Sequence, residues 1–193
     1  PMPCMSPVKN LDDPDNIKPE RPVLALGKVR HVGQPVALIV AETLDQARDA
    51  AELIEIDYNP LAAATDTFRT TLNGAAQLHD DAPNNICFDW GKGDQAATEA
   101  AFAKAAHVTT LELINNRVVV NPMEPRAAIC DYDTASDRLT LYTSSQGTHV
   151  IRNALAESIL NIDTERLRVV TGDVGGGFGM KIFPHPEQPL VTW

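Results

Sequence analysis

Gly175-Gly176-Gly177-Phe178-Gly179 places four glycines in five residues, entered from the apolar run 167–170 and left through Met180-Lys181. Without Cβ atoms, such positions permit positive φ and let backbone N–H groups approach a bound group that side chains would fend off. The chemistry open to the run is the grip of an oxo or phosphate oxygen; the structural alternative is a sharp turn or bulge after a strand. Two other segments could add polar groups. Asn121-Pro122-Met123-Glu124-Pro125-Arg126 frames a carboxylate and a guanidinium with prolines at a strand entrance. Ser144-Ser145-Gln146-Gly147-Thr148 sets a carboxamide where a strand ends and a helix begins. Both are element ends, where sites are usually built. Taken singly, Glu124 and Arg126 read as a structural ion pair and Gln146 as a helix-capping group, and these readings stand beside the functional ones.

Counting removes the familiar glycine-loop families. A P-loop needs G-x-x-x-x-G-K-[ST], but Gly177 is followed by Phe178 and Gly179, so the lysine falls late and no hydroxyl follows it. The dinucleotide spacing fails as well, because the third glycine counted from Gly175 and Gly177 should be residue 180, which is Met180. Metalloprotease, nucleophile-elbow and EF-hand patterns are absent. His31, His79, His107, His149 and His185 show no ligand spacing. Cys4, Cys87 and Cys130 contain no C-x-x-C pair, so neither a disulfide framework nor a zinc ribbon is indicated, and a reducing cytoplasm fits best. Cys87 and Cys130 read as small buried apolar residues.

The elements that must position these groups follow from patterning. Over 193 residues, 44% apolar and 22% charged content suits one or two small cores. A net charge of −10 with scattered basic residues disfavours a nucleic-acid partner. No apolar stretch is long enough to cross a bilayer and no basic leader is visible. Strands are expected at 23–29, 36–41, 54–58, 86–90, 108–114, 127–133, 138–143 and 166–171, with the strands at 108–114, 127–133 and 138–143 forming a meander. Thr43-Leu44-Asp45-Gln46 has capping-box spacing for a first helix, and Asp94 can cap an alanine-rich helix over 95–106. Val150, Ile151, Ala154, Leu155 and Ile159 lie at helical spacing within 148–160. Asn84-Asn85 turns, and residues 61–77 read as a connector. Both termini look cut, so a fragment of a longer protein is expected.

In order along the chain, these segments resemble the molybdenum-binding large subunit of the xanthine dehydrogenase, aldehyde oxidase and carbon monoxide dehydrogenase family. Gly33-Gln34-Pro35-Val36-Ala37, followed by Ala47, Ala50, Ala51 and Ile54-Glu55-Ile56-Asp57-Tyr58, resembles its α/β hammerhead domain. Met123-Glu124-Pro125-Arg126 resembles the entry to its molybdenum-binding part, Ser145-Gln146-Gly147-Thr148 its glutamine loop, and residues 175–181 its glycine-rich cofactor loop. The implied fold is α+β: an α/β hammerhead domain followed by the N-terminal part of a molybdenum cofactor-binding domain. The expected divisions are an irregular lead-in at 1–21, a partial hammerhead at 22–64, a connector at 65–83 and the truncated cofactor-binding domain at 84–193.

The resemblance implies a molybdenum–pterin cofactor, as molybdopterin or its cytosine dinucleotide, with iron–sulfur clusters and FAD on partner subunits or domains. It assigns cofactor contacts to Gln146, Gly176, Gly177, Phe178 and Gly179, with no metal ligand and no catalytic residue in this chain. Gln146 would hydrogen-bond an oxygen ligand of the metal, and the loop would offer backbone contacts. The implied reaction is hydroxylation of carbon monoxide, an aldehyde or an N-heterocycle with water as oxygen source, and the family's catalytic glutamate lies far downstream. Xanthine-oxidising members carry glutamate after the loop lysine, whereas Lys181 is followed by Ile182, which argues against purine. Met180 could help shape the pocket. The competing readings are a non-catalytic interaction module and a glycine-loop binder of a small anion or nucleotide.

Overall fold

The computed structural model describes residues 1–3, 16–116 and 118–193. The expected lead-in lies largely outside the described residues, as does Cys4. The organised part is C-terminal. Strand β1 (Ala128–Asp133) pairs antiparallel with β2 (Arg138–Thr143), and β2 pairs parallel with β3 (Leu167–Val170), giving one sheet in the order β1-β2-β3. The β1–β2 turn forms because Asp133 Oδ1 accepts the Ala135 N–H at 2.9 Å and Asp137 takes the left-handed conformation, φ 53°.

The β2–β3 crossover begins as a helix, α3 (Thr148–Asn153), and continues as a π-helix over Ala154–Leu160, ending at Asn161 with φ 53°. One uniform α-helix over 148–160 is therefore not what forms. The wider π turn carries an extra residue. Ile151, Ala154, Leu155 and Ala156 are buried, while Val150, expected on the apolar face, is 39% exposed. The core is Leu141, Ile151, Leu155, Ala156 and Leu167, with Cys130, Leu139, Ile159 and Val169 packed against it. Each fully buried aliphatic side chain of this kind contributes about 1.5–3 kcal/mol. A final helix, α4 (Glu187–Thr192), packs on β1 and β2 through buried Gln188 and Thr192.

The two capped helices form where the sequence places them. For α1 (Leu44–Glu52), Thr43 and Gln46 exchange the two reciprocal bonds of a capping box. For α2 (Gln95–Lys104), Asp94 Oδ1 accepts the Ala97 N–H at 2.9 Å, and the helix ends two residues before the expected limit of 106. Asn84 and Asn85 turn with φ 56° each, and the Asn85 side chain bonds Thr70, Ala76 and Leu78 to organise the connector.

Five expected strands are not strands here: 23–29, 36–41, 54–58, 86–90 and 108–114 have no ladder among the described residues. The meander is consequently a hairpin of two strands, with β3 on the open side of β2. Alternating apolar residues report a face that can be buried, but a strand also needs a neighbour for its N–H and C=O groups. These segments find isolated bonds instead, such as Ala25 N–H to the Pro35 carbonyl at 2.8 Å, and Val40, Ile54, Ile56, Leu111 and Leu113 stay exposed.

Candidate cofactor-binding site

The sheet explains why three distant segments meet. Because β2 and β3 are parallel neighbours with Tyr142 opposite Val170, the loops following both strands leave from one edge. Because β1 is antiparallel with Ala128 opposite Thr143, the segment entering β1 arrives at that same edge. Thr171 Oγ1 donates to the Thr143 carbonyl at 2.7 Å and Thr143 Oγ1 donates to the Ala127 carbonyl at 2.8 Å, stitching the strand ends together. The carboxyl ends of parallel strands are the usual ligand-binding crevice of such sheets.

Gln146 meets the glycine loop there. Its Oε1 accepts the Gly179 N–H at 3.0 Å and the Lys181 N–H at 3.2 Å, and its own N–H donates to the Lys181 carbonyl at 2.9 Å. Two donors on one oxygen fix the carboxamide's orientation. The carboxamide Nε2 has no acceptor among the described residues. A Cβ on Gly177 would lie 2.5 Å from Gln146 Cδ, so only glycine permits this approach. At Gly176, φ is +99° and a Cβ would lie 2.7 Å from the Phe178 ring.

The loop's amides divide into two sets. Gly175, Gly179, Met180 and Lys181 donate to Glu124, Gln146, the Gly177 carbonyl and Gln146 respectively. The N–H groups of Gly176, Gly177 and Phe178 have no acceptor among the described residues. Phe178 is itself left-handed, φ 50°, and its side chain is 77% exposed. A bulky residue in that conformation marks a backbone held by its surroundings, and such residues cluster at functional sites. Nearby, the Ser144 hydroxyl is buried with no partner among the described residues.

The Asn121–Arg126 stretch anchors the loop from the other side. Lys181, whose side chain is wholly buried, donates from Nζ to the Glu124 carbonyl and to Glu124 Oε2, both at 2.8 Å. Glu124 Oε2 also accepts the Gly175 N–H at 2.7 Å, and the Glu124 N–H donates to the Gly175 carbonyl at 3.2 Å. The Lys181 hydrogen bond, then the Gly175 bond, hold the Glu124 carboxyl below its ordinary range. Arg126 turns elsewhere: its Nε donates to Glu187 Oε1 at 2.6 Å and its Nη1 reaches Met180 Sδ at 3.6 Å.

The structure thus brings Gln146, Gly176, Gly177, Phe178 and Gly179 into one neighbourhood. It corrects two structural readings. Glu124 and Arg126 do not pair with each other, because each pairs with an opposite charge that follows the glycine loop in sequence, Lys181 and Glu187. Gln146 does not cap α3, whose N-cap is Gly147 with no side-chain bond, because its carboxamide oxygen is already taken by the loop. Sequence reasoning left Lys181 without a role beyond motif counting, and Ser144 without any. The available signal was a lysine set among Met180, Ile182 and Phe183, since a cation in an apolar run needs a partner. Among the described residues no group of three or more His, Cys, Asp or Glu could hold a metal ion directly. Cys87 and Cys130 are half-buried, and burial pushes the Cys130 thiol up.

Amides without an internal acceptor and a fixed carboxamide thus meet at the carboxyl ends of two parallel strands. The chain belongs to the molybdopterin cofactor-binding domain family, which residues 78–193 match, and residues 5–62 match the a/b hammerhead domain of aldehyde oxidase and xanthine dehydrogenase. It is similar to the nicotine 6-hydroxylase large subunit of Paenarthrobacter nicotinovorans, 35% identical over 88% of this chain and 20% of that one. It is also similar to the carbon monoxide dehydrogenase large chain of Hydrogenophaga pseudoflava, 32% identical over 85% of this chain and 22% of that one. The crystal structure of a Cu,Mo-CO dehydrogenase superposes with a TM-score of 0.77 at 33% identity, covering 86% of this chain and 22% of that one. The chain spans about a fifth of the length of these relatives.

Proposed function

We propose that this chain is a segment of the large subunit of a molybdenum hydroxylase and that its glycine loop and Gln146 hold the molybdenum–pterin cofactor. The supporting observation is the division of amides: residues 175 and 179–181 spend theirs internally, while 176–178 and Gln146 Nε2 have no acceptor among the described residues. A run of N–H groups without internal acceptors suits the oxygen atoms of such a group, and a carboxamide N–H suits an oxygen on its metal. When bound, the cofactor supplies the two-electron redox chemistry of hydroxylation with water as the oxygen source. This chain's residues bind and orient it, and the exposed Phe178 ring offers an apolar wall beside it. The substrate is carbon monoxide, an aldehyde or an N-heterocycle, and Ile182 after Lys181 disfavours purine. Electrons leave through iron–sulfur and flavin partners.

The test is the large subunit containing this segment, purified from a molybdopterin-producing host, with molybdenum and pterin measured per folded protein. Wild type should carry both, and Gln146→Ala should lose about ten- to hundredfold in cofactor affinity per folded molecule, the range for a hydrogen-bonding partner of a metal group. Wild-type protein free of molybdenum and pterin would overturn the reading.

A further inference from the structure

Lys181 is the one lysine whose side chain is wholly buried among the ion pairs of the described residues, and it lies two positions beyond the glycine loop. An ammonium sealed from water needs its charge and its donors answered locally. Here the answer comes entirely from Glu124, through its carbonyl and Oε2, each 2.8 Å away. That same Oε2 takes the Gly175 N–H at 2.7 Å, and the Glu124 backbone N–H returns a bond to the Gly175 carbonyl. The residue before the free amides and the residue just after the loop are therefore tied to a single side chain. A Cβ on Gly175 would lie 2.6 Å from Glu124 Cβ, so the backbone is drawn as close as a glycine permits.

This arrangement has a consequence for the amides between the ties. With Gly175 and Lys181 both tied to Glu124, the backbone on either side of residues 176–178 is pinned, which limits how far those N–H groups can turn to find partners within the chain. We propose that Lys181 and Glu124 are positioning residues, a lock that keeps the loop's unspent amides available to the cofactor. The inference rests on the cofactor-binding reading above and adds two residues to it. Neither side chain touches the cofactor in this account; both act through the backbone of the loop.

Two readouts test it on the large subunit containing this segment. The first is amide hydrogen exchange across 175–181, which needs no cofactor. Glu124→Ala should speed exchange at Gly175 and Lys181 by about tenfold or more, as a local opening does. Glu124→Gln, which keeps an oxygen for the Gly175 N–H, should recover most of the protection at Gly175. The second is molybdenum per folded molecule, with melting temperature recorded alongside. Lys181→Met, which fills the same space without charge, should lower cofactor affinity about tenfold, as loss of an outer partner does. A role in stability alone would lower the melting temperature and leave molybdenum per folded molecule at the wild-type level; that result overturns the lock. So does unchanged exchange at 175–181 in Glu124→Ala. Wild-type protein devoid of molybdenum would sink the cofactor reading instead, and the exchange data would still decide whether the lock exists.

Discussion

At the scale of single residues, Phe178 is the position where local preference and native conformation disagree most. Its φ of 50° is a region bulky side chains avoid, and the ring is largely exposed, so packing does not explain it. Glycine there would relieve strain of about 1–3 kcal/mol. Phe178→Gly is accordingly expected to leave the denaturant midpoint unchanged or raised, while activity of the loaded enzyme falls. A loss of stability would show that the ring supports the fold rather than the site. The four glycines and Gln146 were legible in the sequence because absent side chains and element ends are visible there. The Lys181–Glu124 tie was not legible: the partners are 57 positions apart and only the sheet brings them together. Local spacing suggested Arg126 as the partner of Glu124, and three-dimensional distance overruled it.

At the scale of elements, the sheet's mixed topology assembles the site, and its integrity at one edge depends on ionisation. The Glu124 carboxyl is held below its ordinary range by Lys181 and by the Gly175 N–H, so the folded state binds its proton less readily than the unfolded chain. Its stabilisation is fully present at neutral pH and above the unfolded glutamate's range, and is lost as pH falls through the depressed folded value. Thermal unfolding followed from pH 7 downward should therefore show the wild type losing stability faster than Glu124→Gln once glutamates begin to protonate. Parallel curves would remove Glu124 from the account. Legibility at this scale was uneven for a physical reason. β1, β2, β3 and both capped helices form close to where pattern and caps place them, since their partners are near in sequence or their signals are local. The crossover reads as one α-helix because apolar spacing cannot distinguish a 3.6-residue turn from a wider one over so few turns.

For the whole molecule, the contrast is between a packed C-terminal sheet and an N-terminal half with no strand ladder among the described residues. The hammerhead match over 5–62 is carried by sequence, yet its expected strands have no ladder among the described residues. Limited trypsin digestion of this chain should cut at Lys28, Arg30 and Arg48 well before Arg152, Arg166 and Arg168, as read by mass spectrometry of early fragments. Simultaneous cleavage in both halves would contradict the contrast. The π turn over Ala154–Leu160 finally bears on descent. A homologue with a one-position gap in that stretch would wind it as ordinary helix and still deliver β3 to the sheet, so length variation among cousins should concentrate there and spare the flanking strands.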